Sequence, residues 1–228
     1  MSIVSVSSLE RTYDSGAVQV KALDGVSLTI EPGEFTVLMG PSGSGKTTLL
    51  NCIGGLDTPT AGTVVVDGHD LGTMSKAERS DIRLKRIGFV FQAYNLVPVL
   101  SAYENAEFVL MLQGAAEAQR RQQVMHTLAQ VGLGGMEDRR PNELSGGQQQ
   151  RVAVARAIAG KPALVLADEP TANLDSKTGT ELVALMKRLN EEQGITFVFA
   201  THDPKVMDAA RRVVRLVDGR IDSDERRE

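Results

Sequence analysis

Short apolar runs separated by longer stretches of helical periodicity organise this chain. Residues 35–39, 163–167 and 195–200 are apolar runs broken only by Thr36 and Thr196, the pattern of strands buried on both faces. Residues 3–9, 18–21 and 26–30 also read as strands, with Gly16 and the Asp24-Gly25 pair as turns between them. Further strands are predicted at 63–66, 87–91 and 213–217. Helices are predicted from Lys46 onward and over 115–131, 148–159 and 178–192. Ser101 and Glu104 have the spacing of a capping box and open one more helix.

Apolar strands alternating with helices predict an α/β fold, a parallel sheet flanked by helices. The first third adds an antiparallel β lobe, and residues 93–143 form an α-helical insert. The pattern predicts a single domain over 1–228, with 222–228 as a solvated tail.

Composition narrows the function classes. No apolar run approaches the roughly 18–20 residues that cross a bilayer, and residues 1–9 lack the basic flank of a signal peptide. A net charge of −4 supplies no global field for nucleic acid or anionic lipid, so any anion site must be built locally. The one cysteine, Cys52, cannot form an internal disulfide.

That local site is legible in Gly40, Pro41, Ser42, Gly43, Ser44, Gly45, Lys46 and Thr47, followed by Thr48. The run fits G-x-x-x-x-G-K-[ST] between a strand and a helix. Its glycines let backbone N–H groups close around an anion, and the helix adds its positive end. Lys46 brings a full charge to the β- and γ-phosphates, and the Thr47 hydroxyl suits Mg²⁺.

A second acidic element ends the strand at 163–167. Asp168 there suits Mg²⁺ held through water, and Glu169 suits the orientation of an attacking water. Ligands of open α/β sheets sit beyond the carboxyl ends of strands, which brings these acids to the phosphate loop. Gln92 and His202 follow strands in the same way, Gln92 to sense Mg²⁺ and water, His202 to reach the γ-phosphate. Ser145, Gly146, Gly147 and Gln148 open a helix with no acid in its first turn, a second start suited to phosphate.

Together these motifs resemble the ABC (ATP-binding cassette) ATPases, in family order and over nearly the whole chain. Gly40 to Thr47 is similar to the Walker A motif, Gln92 to the Q-loop and Leu144 to Gln148 to the family signature. Leu164 to Glu169 is similar to Walker B, Ala172 to Asp175 to the D-loop and His202 to the H-loop. The resemblance implies an ABC ATPase core of P-loop NTPase type that binds ATP and Mg²⁺ and hydrolyses ATP, with Lys46, Glu169 and His202 catalytic. It also implies that Tyr13 stacks on adenine and that Asp175 communicates between paired sites. A homodimer, or a pseudo-dimer with a second ATPase, would share each ATP between one Walker A and the partner's signature. Integral membrane permease subunits would be moved from the cytoplasmic side of the inner membrane, where the chain sits peripherally. Contact with them is expected around residues 95–100.

Residues 93–105 and 54–59 are similar to the branch that holds lipoprotein-release and macrolide-export ATPases. Family alternatives are a cell-division or other signalling ATPase, or one acting on nucleic acid or ribosomes. No basic patch, coiled coil or second cassette supports the last, and no nucleic-acid partner is expected.

Overall fold

The computed structural model describes residues 2–14, 16 and 19–227. Its central sheet contains β3 (Phe35–Met39), β6 (Ile87–Val90), β7 (Leu164–Asp168), β8 (Thr196–Ala200) and β9 (Arg212–Val217), with β10 (Arg220–Arg226) at one edge. The order is β10-β9-β3-β8-β7-β6, and every pairing is parallel except that of β10 with β9. A separate antiparallel sheet has the order β2-β1-β4-β5, from β1 (Val4–Asp14), β2 (Gln19–Ile30), β4 (Ala61–Val66) and β5 (His69–Asp70).

The apolar runs have a direct cause. Successive residues of one strand enter two different cores, so both of its faces are dry. Val37, Ala167 and Phe199 pack towards α3 (Ala102–Leu112), α4 (Glu117–Gln130), α5 (Gly146–Ala159) and α6 (Ser176–Gln193). Their neighbours Leu38, Leu166 and Val198 pack towards α1 (Lys46–Ile53) and the antiparallel sheet. The insert between β6 and β7 thus shares a core with one face of the sheet, and α5 returns the chain from it.

Several expectations change. The strands expected at 18–21 and 26–30 are one strand, β2, though residue 18 lies outside the described residues. Leu9 pairs with Val26 and Glu10 with Asp24, so Gly25 is an extra residue at φ 74°. The Asp24-Gly25 pair makes a β-bulge, not a turn. The expected tail is largely β10, with residue 228 outside the described residues. Arg212 fastens it through Nε to Asp224 Oδ1 at 2.8 Å and Nη2 to Oδ2 at 2.7 Å. Two unforeseen helices appear, α2 (Lys76–Arg86) and α7 (Pro204–Ala209). Only Ile82 of α2 is buried, so that helix carries no apolar stripe to read.

Candidate active site

The carboxyl end of β3 delivers the chain into the loop Gly40 to Gly45, and α1 begins at once behind it. Two glycines there are forced by space and conformation. A Cβ at Gly40 would lie 2.2 Å from the Leu216 carbonyl oxygen. Gly45, the α1 N-cap, has φ 99°, and a Cβ on it would lie 2.5 Å from the Ala22 carbonyl oxygen. The backbone can therefore wrap tightly only because no side chain intervenes. The α1 start has neither a side-chain cap nor an acid in its first turn. The Ser44 hydroxyl is buried without a hydrogen-bond partner among the described residues.

Lys46 bends back over this loop, its Nζ donating to the Gly40 carbonyl at 2.7 Å and the Pro41 carbonyl at 2.9 Å. The adjacent Thr47 hydroxyl donates to Asp168 Oδ1 at 3.1 Å, which joins the loop to the end of β7. Burial pushes the Asp168 carboxyl above its ordinary range and the charge of Glu169 adds to this, against the Thr47 hydrogen bond and Lys46. The donor-rich loop suits a polyphosphate, and the Thr47–Asp168 oxygens suit a hard divalent cation.

Glu169 stands at φ 45°, a left-handed backbone for a non-glycine residue, with its N–H donating to the Ala200 carbonyl at 2.9 Å. Both carboxyl oxygens are engaged. The Thr201 hydroxyl donates to Oε2 at 2.8 Å, and His202 Nδ1 lies 2.7 Å from Oε1. Sequence reasoning paired neither residue with Glu169, although Thr201 and His202 both follow β8. While Glu169 is ionised, Nδ1 must donate, and a neutral His202 then keeps only a lone pair on Nε2. To donate to phosphate, His202 must be an imidazolium or must leave Glu169.

A cleft of about 660 Å³ is lined by Tyr13, residues 40–48, Glu169 and His202. Gln92 follows β6 and is exposed, but does not line this cleft; its carbonyl accepts from Asn173 Nδ2 at 3.0 Å. Nor do Ser145 to Gln148 line it. Ser145 caps α5 in a capping box with Gln148: the Gln148 N–H donates to Ser145 Oγ at 3.3 Å, and Gln148 Oε1 accepts from the Ser145 N–H at 2.9 Å. Among the described residues, the N–H groups of Gly146 and Gly147 have no acceptor within the chain. The two glycines let the helix start pack closely, since a Cβ would lie 2.8 Å from the Tyr94 hydroxyl or 2.3 Å from Thr178 Cγ2. Asp175 is the N-cap of α6, accepting from the Lys177 and Thr178 N–H groups, both at 3.0 Å. A residue the sequence did not flag, Gln150, is fully buried in α5 and donates to the Pro170 carbonyl at 2.8 Å and the Phe91 carbonyl at 3.3 Å. It thereby joins α5 to the chain beside Glu169 and beside Gln92.

A family model described as ABC transporter matches residues 23–172. The chain is 50% identical over 222 residues to the lipoprotein-releasing system ATP-binding protein LolD of Anaeromyxobacter dehalogenans, covering 97% of this chain and 93% of that one. It is 46% identical over 226 residues to the macrolide export ATP-binding/permease protein MacB of Syntrophobacter fumaroxidans, covering 98% of this chain but only 32% of that one. The chain therefore spans about a third of the length of that relative. Among solved structures, the dimeric cassette MJ0796 of Methanocaldococcus jannaschii superposes with a TM-score of 0.91 at 43% identity, over 99% of each chain. A dimeric post-hydrolysis state of MJ0796 bound to ADP and Pi gives 0.90 at 44% identity.

Proposed function

The chain belongs to the ABC transporter family as an ATP-binding and ATP-hydrolysing subunit, and we propose that it drives an integral membrane permease of the lipoprotein-release or macrolide-export kind. One observation carries the catalytic part of the reading: the phosphate loop, the Thr47–Asp168 contact and the Glu169–Thr201–His202 cluster meet at one end of the sheet. We read residues 1–228 as one cassette domain with its helical subdomain at about 93–143.

In this reading the loop N–H groups and Lys46 bind the phosphates of ATP. Lys46 exchanges its two carbonyl acceptors for phosphate oxygens as it does so. Thr47 and Asp168 would hold Mg²⁺, with Gln92 as a further oxygen ligand. When bound, Mg²⁺ would supply charge neutralisation to the phosphates. Glu169, half-buried and fixed by Thr201, orients the attacking water and accepts its proton on the carboxylate, and His202 turns to the γ-phosphate. Ser145 and the free N–H groups of Gly146 and Gly147 bind the ATP held by a second copy, and Asp175 reports between the two sites. Glu169→Gln keeps the shape and the Thr201 bond but loses the basic oxygen, so it should bind ATP, accumulate as a dimer in light scattering and turn over about a hundredfold or more slower. Hydrolysis at the wild-type rate would move the catalytic role to another residue.

The permease reading rests on an apolar groove of about 380 Å³, lined by Leu56, Leu84, Phe89, Phe91, Phe108 and Leu112 among others. Its large side chains are unusually open for their size, Leu56 at 49% and Leu112 at 55% exposed. Asn95 borders it, and Val99 on the following loop is 69% exposed. Asn105 fastens that loop by bonding both the N–H and the carbonyl of Val97. Among the described residues no helix is long and apolar enough to cross a membrane. From the likeness to the lipoprotein-releasing and macrolide-export proteins, we place the chain peripherally, on the cytoplasmic face, through this groove. Leu56→Asp with Val99→Asp should release it from membranes that contain the permease while ATP hydrolysis persists. Undiminished membrane association would overturn the assignment of the groove.

A further inference from the structure

Three side chains from two distant stretches meet beside the phosphate cleft. Tyr13 donates its hydroxyl to Asp57 Oδ2 at 2.6 Å, and Arg11 Nε donates to the same oxygen at 2.9 Å. Arg11 Nη2 lies 2.9 Å from Asp57 Oδ1, and the guanidinium carbon stands 4.4 Å from the Tyr13 ring centre. One carboxylate thus holds both the outer end of the ring and the cation that covers one of its faces.

The carboxylate is itself held. The Asp57 and Leu56 N–H groups both donate to the Asn51 carbonyl at the end of α1, and the Thr58 N–H donates to Asp57 Oδ1 at 2.7 Å. Arg83 fixes the same turn by donating to the Gly55 carbonyl at 2.7 Å. Burial pushes the Asp57 carboxyl up, but the Tyr13 hydroxyl, Arg11 and the Thr58 N–H outweigh it and hold it below its ordinary range. It is therefore ionised at neutral pH, as the clamp requires. Tyr13 and Thr48 line the cleft together, which places the ring at the outer side of the phosphate loop.

We infer that Asp57 is the positioning residue of the base site, fixing the Tyr13 ring through its hydroxyl and through Arg11 so that one face is covered by guanidinium and the other receives the purine. The inference rests on the reading of Tyr13 as the base-stacking residue. An aromatic side chain already locked in its binding rotamer loses less entropy when the base arrives, so the clamp acts on affinity and not on the chemistry of bound ATP.

The test compares Tyr13→Ala, Tyr13→Phe, Asp57→Asn and the Tyr13→Phe/Asp57→Asn double variant. Each is titrated with ATP and with inorganic tripolyphosphate, which has phosphates but no base. Tyr13→Phe and Asp57→Asn should each weaken ATP binding about three- to tenfold, the range of one hydrogen bond. They should raise KM for ATP more than they lower kcat and leave tripolyphosphate affinity as in the wild type. The double variant should be no weaker than the weaker single one, because both break the same clamp. ATP affinity unchanged in Asp57→Asn and Tyr13→Phe, with Tyr13→Ala impaired, would overturn the inference and leave the base site standing. Equal losses for ATP and tripolyphosphate would overturn it by placing Asp57 in the integrity of the cradle. Unchanged ATP affinity in Tyr13→Ala would remove the base reading, and the inference with it.

Discussion

Among the described residues, two α-helix starts differ from the other five. At α2, α3 and α4 the first turn carries Glu78, Glu104 and Glu117, and α6 and α7 are capped by Asp175 and Asp203. Only α1 and α5, among the described helices, start without a carboxylate at the cap or in the first turn. Their partial positive charge is left for an anion from outside the helix. The two then diverge. The α1 start cannot complete itself, because Gly45 has no side chain to cap it and the loop before it is shaped by glycines. The α5 start is complete as a local structure, with its reciprocal Ser145–Gln148 box. It lies outside the cleft that α1 helps to line. In the proposed reading the anion it serves is therefore one held by a second copy, which makes the divided site whole.

Breaking the α1 side should have the largest effect. Lys46→Ala removes the one full positive charge of the loop. A loss of about 4 kcal/mol at the transition state is about a thousandfold in kcat, measured by phosphate release with Mg·ATP. Ser145→Asp tests the α5 side without harming the helix, since Asp caps as well as Ser. Its charge would stand where the partner's phosphates must come. Tm should hold while ATP-driven dimerisation, followed by light scattering, weakens about a hundredfold or more, the scale of like charges brought together at an interface. Dimerisation at wild-type strength would detach α5 from phosphate.

Gly45→Ala should act mainly on the fold. It adds a left-handed alanine and a collision with the Ala22 carbonyl, about 1–3 kcal/mol of stability, read by denaturant titration. The smallest effect belongs to an ordinary helix start. Glu78→Ala in α2 should leave hydrolysis unchanged and lower Tm slightly at neutral pH. Hydrogen bonds from the Ser75 N–H and from the Ser75 hydroxyl hold the Glu78 carboxyl below its ordinary range. Its stabilisation is therefore present above the ordinary carboxylate value and lost as pH falls through the folded one, so the difference from wild type should vanish in acid.

The sequence made one side of this contrast more legible than the other. The phosphate loop and the acidic end of β7 are contiguous motifs in which residue type and spacing carry the chemistry directly. The missing acid at the start of α5 was also visible, though not the packing of Gly147 on Thr178 that lets the helix begin there. The contacts that organise the site join distant segments: Glu169 with His202, Tyr13 with Asp57, and Gln150 with the chain beside Glu169. Nothing local encodes them. Elements without an apolar stripe went unread for a related reason, α2 because it buries one side chain and β10 because ion pairs from Arg212 hold it to the edge. Gly25 reads as a turn in the sequence because glycine serves a positive φ in a turn and in a bulge alike.

The divided site can be tested by joining its halves chemically. Two differently tagged chains, one Ser42→Cys and the other Asn142→Cys, at an exposed residue just before Ser145, each in a Glu169→Gln background, are mixed and treated with a short bis-maleimide with and without Mg·ATP. The native Cys52 stays out of the reaction, because burial pushes its thiol up to about 12. Adducts that carry both tags and require ATP are the predicted result. Adducts that never join the two chains with ATP present would contradict the account.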